Sequence, residues 1–380
     1  MTIGIDASRN RSGGAKAHLI GIITEGNPLK YGIEKVHVWS YKSLLDALPD
    51  FPWLVKHNPA ELELSLFRQV WWQYNALPKE ATKYACDILL NTDAGAISTF
   101  APSIVMSRDM LSYEDGEMRR YGFSFARIRL LLLKYIQANS MKRATGVIFL
   151  TNYAATVIQK FMGPVRQFAV IPHGVGQNFK QTAAARFSLN KANEEIKCIY
   201  ISNTAMYKHQ WHVVNAIGQL QKKGYKISLL LVGGGDGIAQ EMLEREMTKT
   251  DPDKKFTTQL TYLAHDKIPA LIAESDIFIF ASSCENMPNT LVEGMAAGIP
   301  IACSNRGPMP EVLKDGGIYF DPENAASITE AVEKIILNED LRLEISKRAK
   351  ELSTHYSWQR CANETFEYLT QIYQQSSKRK

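Results

Sequence analysis

Ser282-Ser283-Cys284-Glu285-Asn286-Met287-Pro288-Asn289-Thr290-Leu291-Val292-Glu293-Gly294-Met295-Ala296-Ala297-Gly298-Ile299-Pro300 is the passage on which the reading of this chain turns. An apolar, β-branched run, Ile277–Ala281, stops just before it. Small polar residues then make a turn. Pro288 suits a first helical position, where its missing N–H costs nothing and its φ is already set. The passage therefore reads as strand, turn and helix. It leaves free backbone N–H groups from about Asn289 to Leu291 at the carboxyl end of a strand, a place suited to holding a diphosphate. Glu285 falls on the loop. Glu293 falls in the helix, about one and a half turns from its start. Two acceptor-only carboxylates could bind two sets of hydroxyls, one on a transferred sugar and one on a ribose. Spacing alone equally allows a structural reading, with one glutamate favouring the helix start and the other solvated.

Working outward, short apolar runs alternate with longer helical patterns, as in parallel α/β units. Strands are predicted near Thr2–Asp6, Lys35–Trp39, Asp87–Leu90, Ser103–Met106, Gly146–Leu150 and Phe168–Ile171. A second series is predicted near Lys197–Ile201, Ile227–Val232, Gln259–Leu263, Ile277–Ala281, Pro300–Cys303 and Ile318–Phe320. Helices in the second series begin near Lys208, Asp236, Lys267, Pro288 and Ala325. The expected fold class is α/β: two facing, Rossmann-like, doubly wound domains with a cleft between them, ligands binding beyond the carboxyl ends of the strands. The expected domains are 1–175 on the acceptor side, 176–356 on the donor side, and a C-terminal helix in 357–380 that could cross back to the first. The polar stretch Gln177–Glu195 reads as a connector.

A chain of 380 residues suits two domains better than one core. The net charge of +5 fits anionic partners without selecting among phosphate ligands, nucleic acid and lipid. Five scattered cysteines without a Cys-x-x-Cys make neither a disulfide framework nor a zinc site and point to a reducing compartment. Met1–Asp6 lacks the basic and apolar regions of a signal peptide, and no run approaches the roughly 20 apolar residues of a membrane span. The expected location is cytoplasmic, or peripheral on the cytoplasmic face of the inner membrane.

The decisive passage resembles the signature of the retaining family 4 glycosyltransferases, which have the GT-B fold: a Glu-x7-Glu pair, here Glu285 and Glu293, then a small segment ending Gly298-Ile299-Pro300. Further matches follow in order: Ile199–Ser202 with Tyr207-Lys208-His209, Leu229–Gly235, Ile268–Ala281, Asn305-Arg306-Gly307, Pro310-Glu311-Val312 and Gly316–Pro322. The resemblance implies that Glu285 contacts hydroxyls of the donor sugar and Glu293 the ribose. It implies that backbone groups near Asn286, Met287, Thr290 and Leu291 hold sugar and diphosphate, and that Lys208 is the cation on the diphosphate. The family often places an arginine a few residues before this lysine. Ser202-Asn203-Thr204-Ala205 stands there instead, leaving His209 or Arg306 as substitutes.

In the first half, Ser12-Gly13-Gly14 resembles the family's Gly-Gly loop near donor phosphate and acceptor, and reads equally as an ordinary turn. Asp109-Met110-Leu111-Ser112-Tyr113-Glu114 and Arg119-Arg120-Tyr121-Gly122 resemble a subgroup that builds bacterial surface polysaccharides such as O-antigen and capsule. Where many relatives have a histidine, this chain has Ser107-Arg108-Asp109, which argues against a histidine-based contact and leaves Arg108 or Asp109 as the residue near the reacting sugar. His173 reads as a hinge or cleft residue. Met118–Arg143 is basic, free of acidic residues and interleaved with apolar ones. It reads equally as a membrane-surface helix and as a helix packed on the sheet.

These features imply transfer of a sugar from a nucleoside diphosphate sugar to a glycan or lipid-linked glycan acceptor. GDP-mannose is the working donor. No metal or other cofactor and no nucleic-acid partner are expected. A sugar-nucleotide epimerase or hydrolase of the same fold, and a non-catalytic sugar-nucleotide-binding protein, are the rival readings. Asp251-Pro252-Asp253 reads as a turn rather than a metal motif. Gly233–Gly237 lacks the Rossmann glycine spacing, and His209 with His212 lacks a third zinc ligand.

Overall fold

The computed structural model describes residues 1–181 and 195–378. Residues 182–194 of the expected connector lie outside the described residues, as do 379 and 380. The chain divides into two compact units, Met1–Gly174 with Ser357–Lys380, and Val175–Tyr356.

The first unit contains strands β1 (Thr2–Asp6), β2 (Lys35–Trp39), β3 (Leu54–His57), β4 (Ile88–Asn91), β5 (Ser103–Met106), β6 (Gly146–Phe149) and β7 (Phe168–Val170). All pair in parallel in the order β3-β2-β1-β4-β5-β6-β7. In β1, Ile3 lies between Val36 and Ile88. The inner strands are buried on both faces, so they read as apolar runs without alternation. β3 has no counterpart in the sequence reading. Its Leu-Val-Lys-His is only part-buried at the sheet edge, where no continuous apolar run is required. The C-terminal helix, Trp358–Ser377, packs on the helix Gly13–Glu25 within this unit. Gly21 makes the approach: a Cβ there would stand 2.3 Å from the Trp358 ring.

The second unit contains β8 (Ile196–Ile201), β9 (Ile227–Val232), β10 (Thr257–Leu260), β11 (Ile277–Phe280), β12 (Ile301–Ser304) and β13 (Ile318–Phe320). They are parallel in the order β10-β9-β8-β11-β12-β13. Both units are thus Rossmann-like parallel α/β domains, as the alternation of runs predicts. β10 begins earlier than expected, because Tyr262 and Leu263 belong to a loop in which Tyr262 is exposed. The helix Glu339–Ser353 is also absent from the sequence reading. Its signal lies in Asn338, whose side chain caps Leu341, followed by Glu339 and Asp340 in the first turn. Among the described residues no helix is long and apolar enough to cross a membrane.

Candidate active site

The second sheet reverses its strand order between β8 and β11. Helices leave such a point toward opposite faces, so the loops at the two carboxyl ends part and leave a crevice. One loop carries Lys208 and the other Glu285. The turn Met206–Lys208 is tied to its surroundings through backbone. The Tyr200 hydroxyl donates to the Lys208 carbonyl at 2.7 Å, and Ser283 N–H donates to the Tyr207 carbonyl at 2.8 Å. His209 Nε2 and the Ser283 hydroxyl are hydrogen-bonded at 2.9 Å. His209 has φ of +50°, uncommon for a non-glycine residue, and the helix Gln210–Lys222 starts immediately after it. This geometry delivers Lys208 Nζ to Glu285 Oε1 as an ion pair, with side chains only 9% and 16% exposed.

The helix Asn289–Ala297 follows, with Pro288 at the N-cap rather than at the first helical position. Asn289 N–H turns back onto the Met287 carbonyl at 3.0 Å, which removes one of the three N–H groups expected to be free. The first bond along the helix runs from Val292 N–H to the Pro288 carbonyl at 3.2 Å. The helix itself therefore leaves the N–H groups of Thr290 and Leu291 unused. No acidic residue occupies the first turn, so the positive end of the helix dipole is uncompensated there.

Glu293 is buried. Its Oε1 bonds to His265 Nε2 at 2.9 Å, while its Oε2 is buried without a partner. The hydrogen bond to this carboxylate holds the His265 pKa above its usual 6.5. The His265 ring also meets the buried Phe179 edge-on at 5.5 Å. His265 was not singled out from the sequence. No local signal marks it, since its partner lies 28 residues further on.

The proposed substitutes for the missing arginine are both engaged. His209 is buried against Ser283, and Arg306 pairs with Asp321 at 3.2 Å. The glycines after β9 serve backbone packing: a Cβ on Gly233 would lie 2.2 Å from the Ser202 carbonyl oxygen, and one on Gly235 2.4 Å from that of Thr204. Asp251 binds the N–H groups of Lys255, Phe256 and Thr257 at 2.8–2.9 Å, in keeping with a turn.

In the first unit the order reverses between β1 and β4. Asn10, beyond β1, accepts from Arg108 Nη2 and from the Thr92 hydroxyl, both at 2.9 Å. Arg108 follows β5 and also faces Asp93 at 3.6 Å. Its Nε and Nη1 are buried without partners, and burial lowers its pKa. Asp109 accepts from Leu111 N–H at 3.0 Å and from Gln137 Nε2 at 3.3 Å, and burial raises its pKa. Its carboxylate thus holds a turn and ties it to the helix Phe125–Arg143. His173 stacks on His18 at 4.9 Å. His18 is fully buried, which drives its pKa well below 6.5. Gly13 and Gly14 open the helix after β1. A Cβ on Gly13 would meet nothing within 4 Å, so packing does not explain glycine there.

Lys208, His209, Glu285, Asn286, Met287, Thr290, Leu291 and Glu293 therefore share the loops and helix start beyond β8 and β11. Gly13, Gly14, Arg108, Asp109 and His173 belong to the other unit.

Residues 181–352 match the family model described as Glycosyl transferases group 1. A GDP-mannose-dependent alpha-(1-6)-phosphatidylinositol monomannoside mannosyltransferase of Mycobacterium tuberculosis is 23% identical over 61% of this chain and 64% of its own length. The chain thus spans just under two thirds of that relative. An O-antigen chain mannosyltransferase B of Escherichia coli is 27% identical over 35% of this chain and 34% of its own length. Among solved structures, sucrose-phosphate synthase from Thermosynechococcus elongatus aligns with a TM-score of 0.75 at 16% identity, covering 100% of both chains. Anabaena HepE in complex with UDP and glucose aligns with a TM-score of 0.71 at 18% identity, covering 97% of this chain and 99% of that one. At such identities these structures establish the fold, GT-B, which agrees with the expected class.

Proposed function

We propose that this chain, which belongs to the group 1 glycosyltransferases, transfers a sugar from a nucleoside diphosphate sugar to an acceptor hydroxyl with retention of anomeric configuration. The observation that carries the proposal is the Lys208–Glu285 pair at the switch point of the second sheet, beside a helix start without acidic residues. Lys208 changes partner from Glu285 to the donor diphosphate. The N–H groups of Thr290 and Leu291 and the helix dipole face the same phosphates. Glu285, freed from Lys208, accepts hydrogen bonds from the sugar, with Asn286 and Met287 beside it. Glu293 offers its unpartnered Oε2 to the ribose hydroxyls.

In the reaction the bond from C1 to the diphosphate oxygen breaks and a bond from C1 to the acceptor oxygen forms on the same face. The acceptor proton passes to the leaving diphosphate. The charge that develops on that group is met by Lys208 and backbone dipoles already in place, so the route uses neither a resident metal nor a protein nucleophile. In the other unit, Gly13 and Gly14 allow close approach of ligand to backbone, and Arg108, Asp109 and His173 border the acceptor side. The mycobacterial and Escherichia coli relatives support a mannosyl donor, GDP-mannose, and an acceptor in lipid-linked surface-polysaccharide assembly.

A panel of sugar nucleotides screened for thermal protection tests donor choice, since a ligand stabilises the state it binds. GDP-mannose should raise the melting temperature more than UDP-sugars. NMR of the product should show the donor's anomeric configuration. A product formed without acceptor would replace the transferase reading with the hydrolase or epimerase one.

A further inference from the structure

The first unit carries a surface that includes none of the residues assigned above to the transfer reaction. A helix packed on a sheet ordinarily turns its apolar stripe inward and its polar face outward. The helix Phe125–Arg143 buries Gln137, Ala138 and Met141, yet exposes Phe125, Ile128, Leu132 and Tyr135. These four positions follow the helical spacing i, i+3, i+7, i+10, so they form one outward stripe. Phe123, just before the helix, is fully exposed, and Phe125 is 82% exposed.

A second helix, Leu66–Asn75, repeats the pattern. It buries Trp72 and exposes Phe67, Trp71 and Tyr74 at i, i+4, i+7, with Phe67 75% exposed. Tyr74 and Ile136 line one cavity of about 490 Å³ together with Phe100 and Arg143, so the two helices flank the same depression. Large apolar side chains in such number are unusual on a free surface and mark an interaction site.

The charges around them identify the occupant. Met118–Arg143 contains seven Arg and Lys residues and no Asp or Glu, and Arg119, Arg129, Lys142 and Arg143 are exposed. Trp and Tyr at the level of basic side chains are the residues that settle at a membrane–water interface. A second copy of this chain is a poor occupant. A two-fold contact would set the basic face against itself.

We propose that this face docks on an anionic phospholipid bilayer, with the aromatic and aliphatic stripes entering the headgroup boundary and the cations meeting lipid phosphates. The inference goes beyond the transferase reading and does not rest on it, because docking requires neither donor nor acceptor.

Vesicle co-sedimentation of the full chain, without nucleotide, tests it. The chain should partition onto vesicles of equal parts phosphatidylglycerol and phosphatidylcholine roughly tenfold or more above phosphatidylcholine alone. Raising salt from about 0.1 M to about 1 M should weaken that binding, since it cuts the screening length from about 10 to about 3 Å. Phe125→Ser with Leu132→Ser and Tyr135→Ser should lower binding roughly tenfold or more at an unchanged melting temperature. Arg119→Glu with Arg129→Glu should abolish the preference for phosphatidylglycerol. No preference in the wild type, or full binding by either variant, would overturn the proposal. So would a wild-type dimer that the first variant dissociates, in the absence of vesicle binding, because the face would then serve a second copy.

Discussion

Replacing Lys208 by methionine removes the ammonium group and keeps most of the stem. The backbone of its turn should persist, because Tyr200 and Ser283 hold it through the Lys208 and Tyr207 carbonyls, not through the side chain. What changes is Glu285. Its carboxylate is 16% exposed and loses its cation. Stranding a fully buried charge costs about 3–5 kcal/mol, and the remaining access to water should reduce this to about 1–3 kcal/mol. For a unit of this size that corresponds to a fall of about 2–4 °C in melting temperature per kcal/mol.

Activity should fall much further. Losing one preorganised group that faces the developing charge costs about 3 kcal/mol, or roughly a hundredfold in kcat. Release of nucleoside diphosphate, followed with GDP-mannose as donor, measures this. Pairing Lys208→Met with Glu285→Gln should recover most of the lost stability, because no stranded carboxylate remains, while activity stays low. The reasoning is refuted if Lys208→Met keeps kcat within a few-fold of wild type. It is also refuted if the double variant regains activity along with stability.

Glu293→Gln should weaken donor binding by about 1–3 kcal/mol, roughly fivefold to 150-fold, since an acceptor-only oxygen is replaced in part by a donor. Calorimetry with the donor checks this, and an unchanged Kd removes Glu293 from the ribose site. The same substitution should lower the His265 pKa, because it removes the carboxylate that holds it up. In the wild type the raised pKa means that the His265–Glu293 contribution to stability is complete below pH 6.5 and is lost as pH rises through the higher folded-state value. NMR titration of His265 in both proteins decides the point. His57 predicts the opposite trend in the first unit. Burial, with His37 and Lys83 nearby, lowers its pKa to about 4, so stability present above pH 6.5 should be lost as pH falls from there through about 4. His57→Asn should flatten that part of the melting-temperature profile. Gly21→Ala should destabilise the first unit by about 1–3 kcal/mol through overpacking against Trp358. An unaltered melting temperature would show that the C-terminal helix yields at no cost.

Much of the architecture was legible because parallel strands buried on both faces write themselves as apolar runs. Lys35–Trp39, Ser103–Met106, Ile227–Val232 and Ile318–Phe320 keep their predicted limits. The edge strand β3 was not legible, since half-exposed Leu54–His57 carries no such run. Glu339–Ser353 was missed although Asn338 and two acidic residues mark its start, because no neighbouring strand called attention to it.

Sequence alone determined the alternation of strand and helix, and the loop and helix that carry Glu285 and Glu293, because those depend on neighbours within a few residues. It could not decide which polar groups meet. Lys208 reaches Glu285 across 77 residues and His265 reaches Glu293 across 28. The first encounter is set by the strand order that places β8 beside β11, and the second joins the segment after β10 to the helix after β11; no local pattern encodes either. Tertiary structure likewise decided that Asp109 is occupied by Leu111 and Gln137, that Arg306 is paired at the surface, and that the stripes from Phe125 to Tyr135 and from Phe67 to Tyr74 face outward. An apolar spacing reads the same whether its face is covered or bare. Only packing distinguishes them.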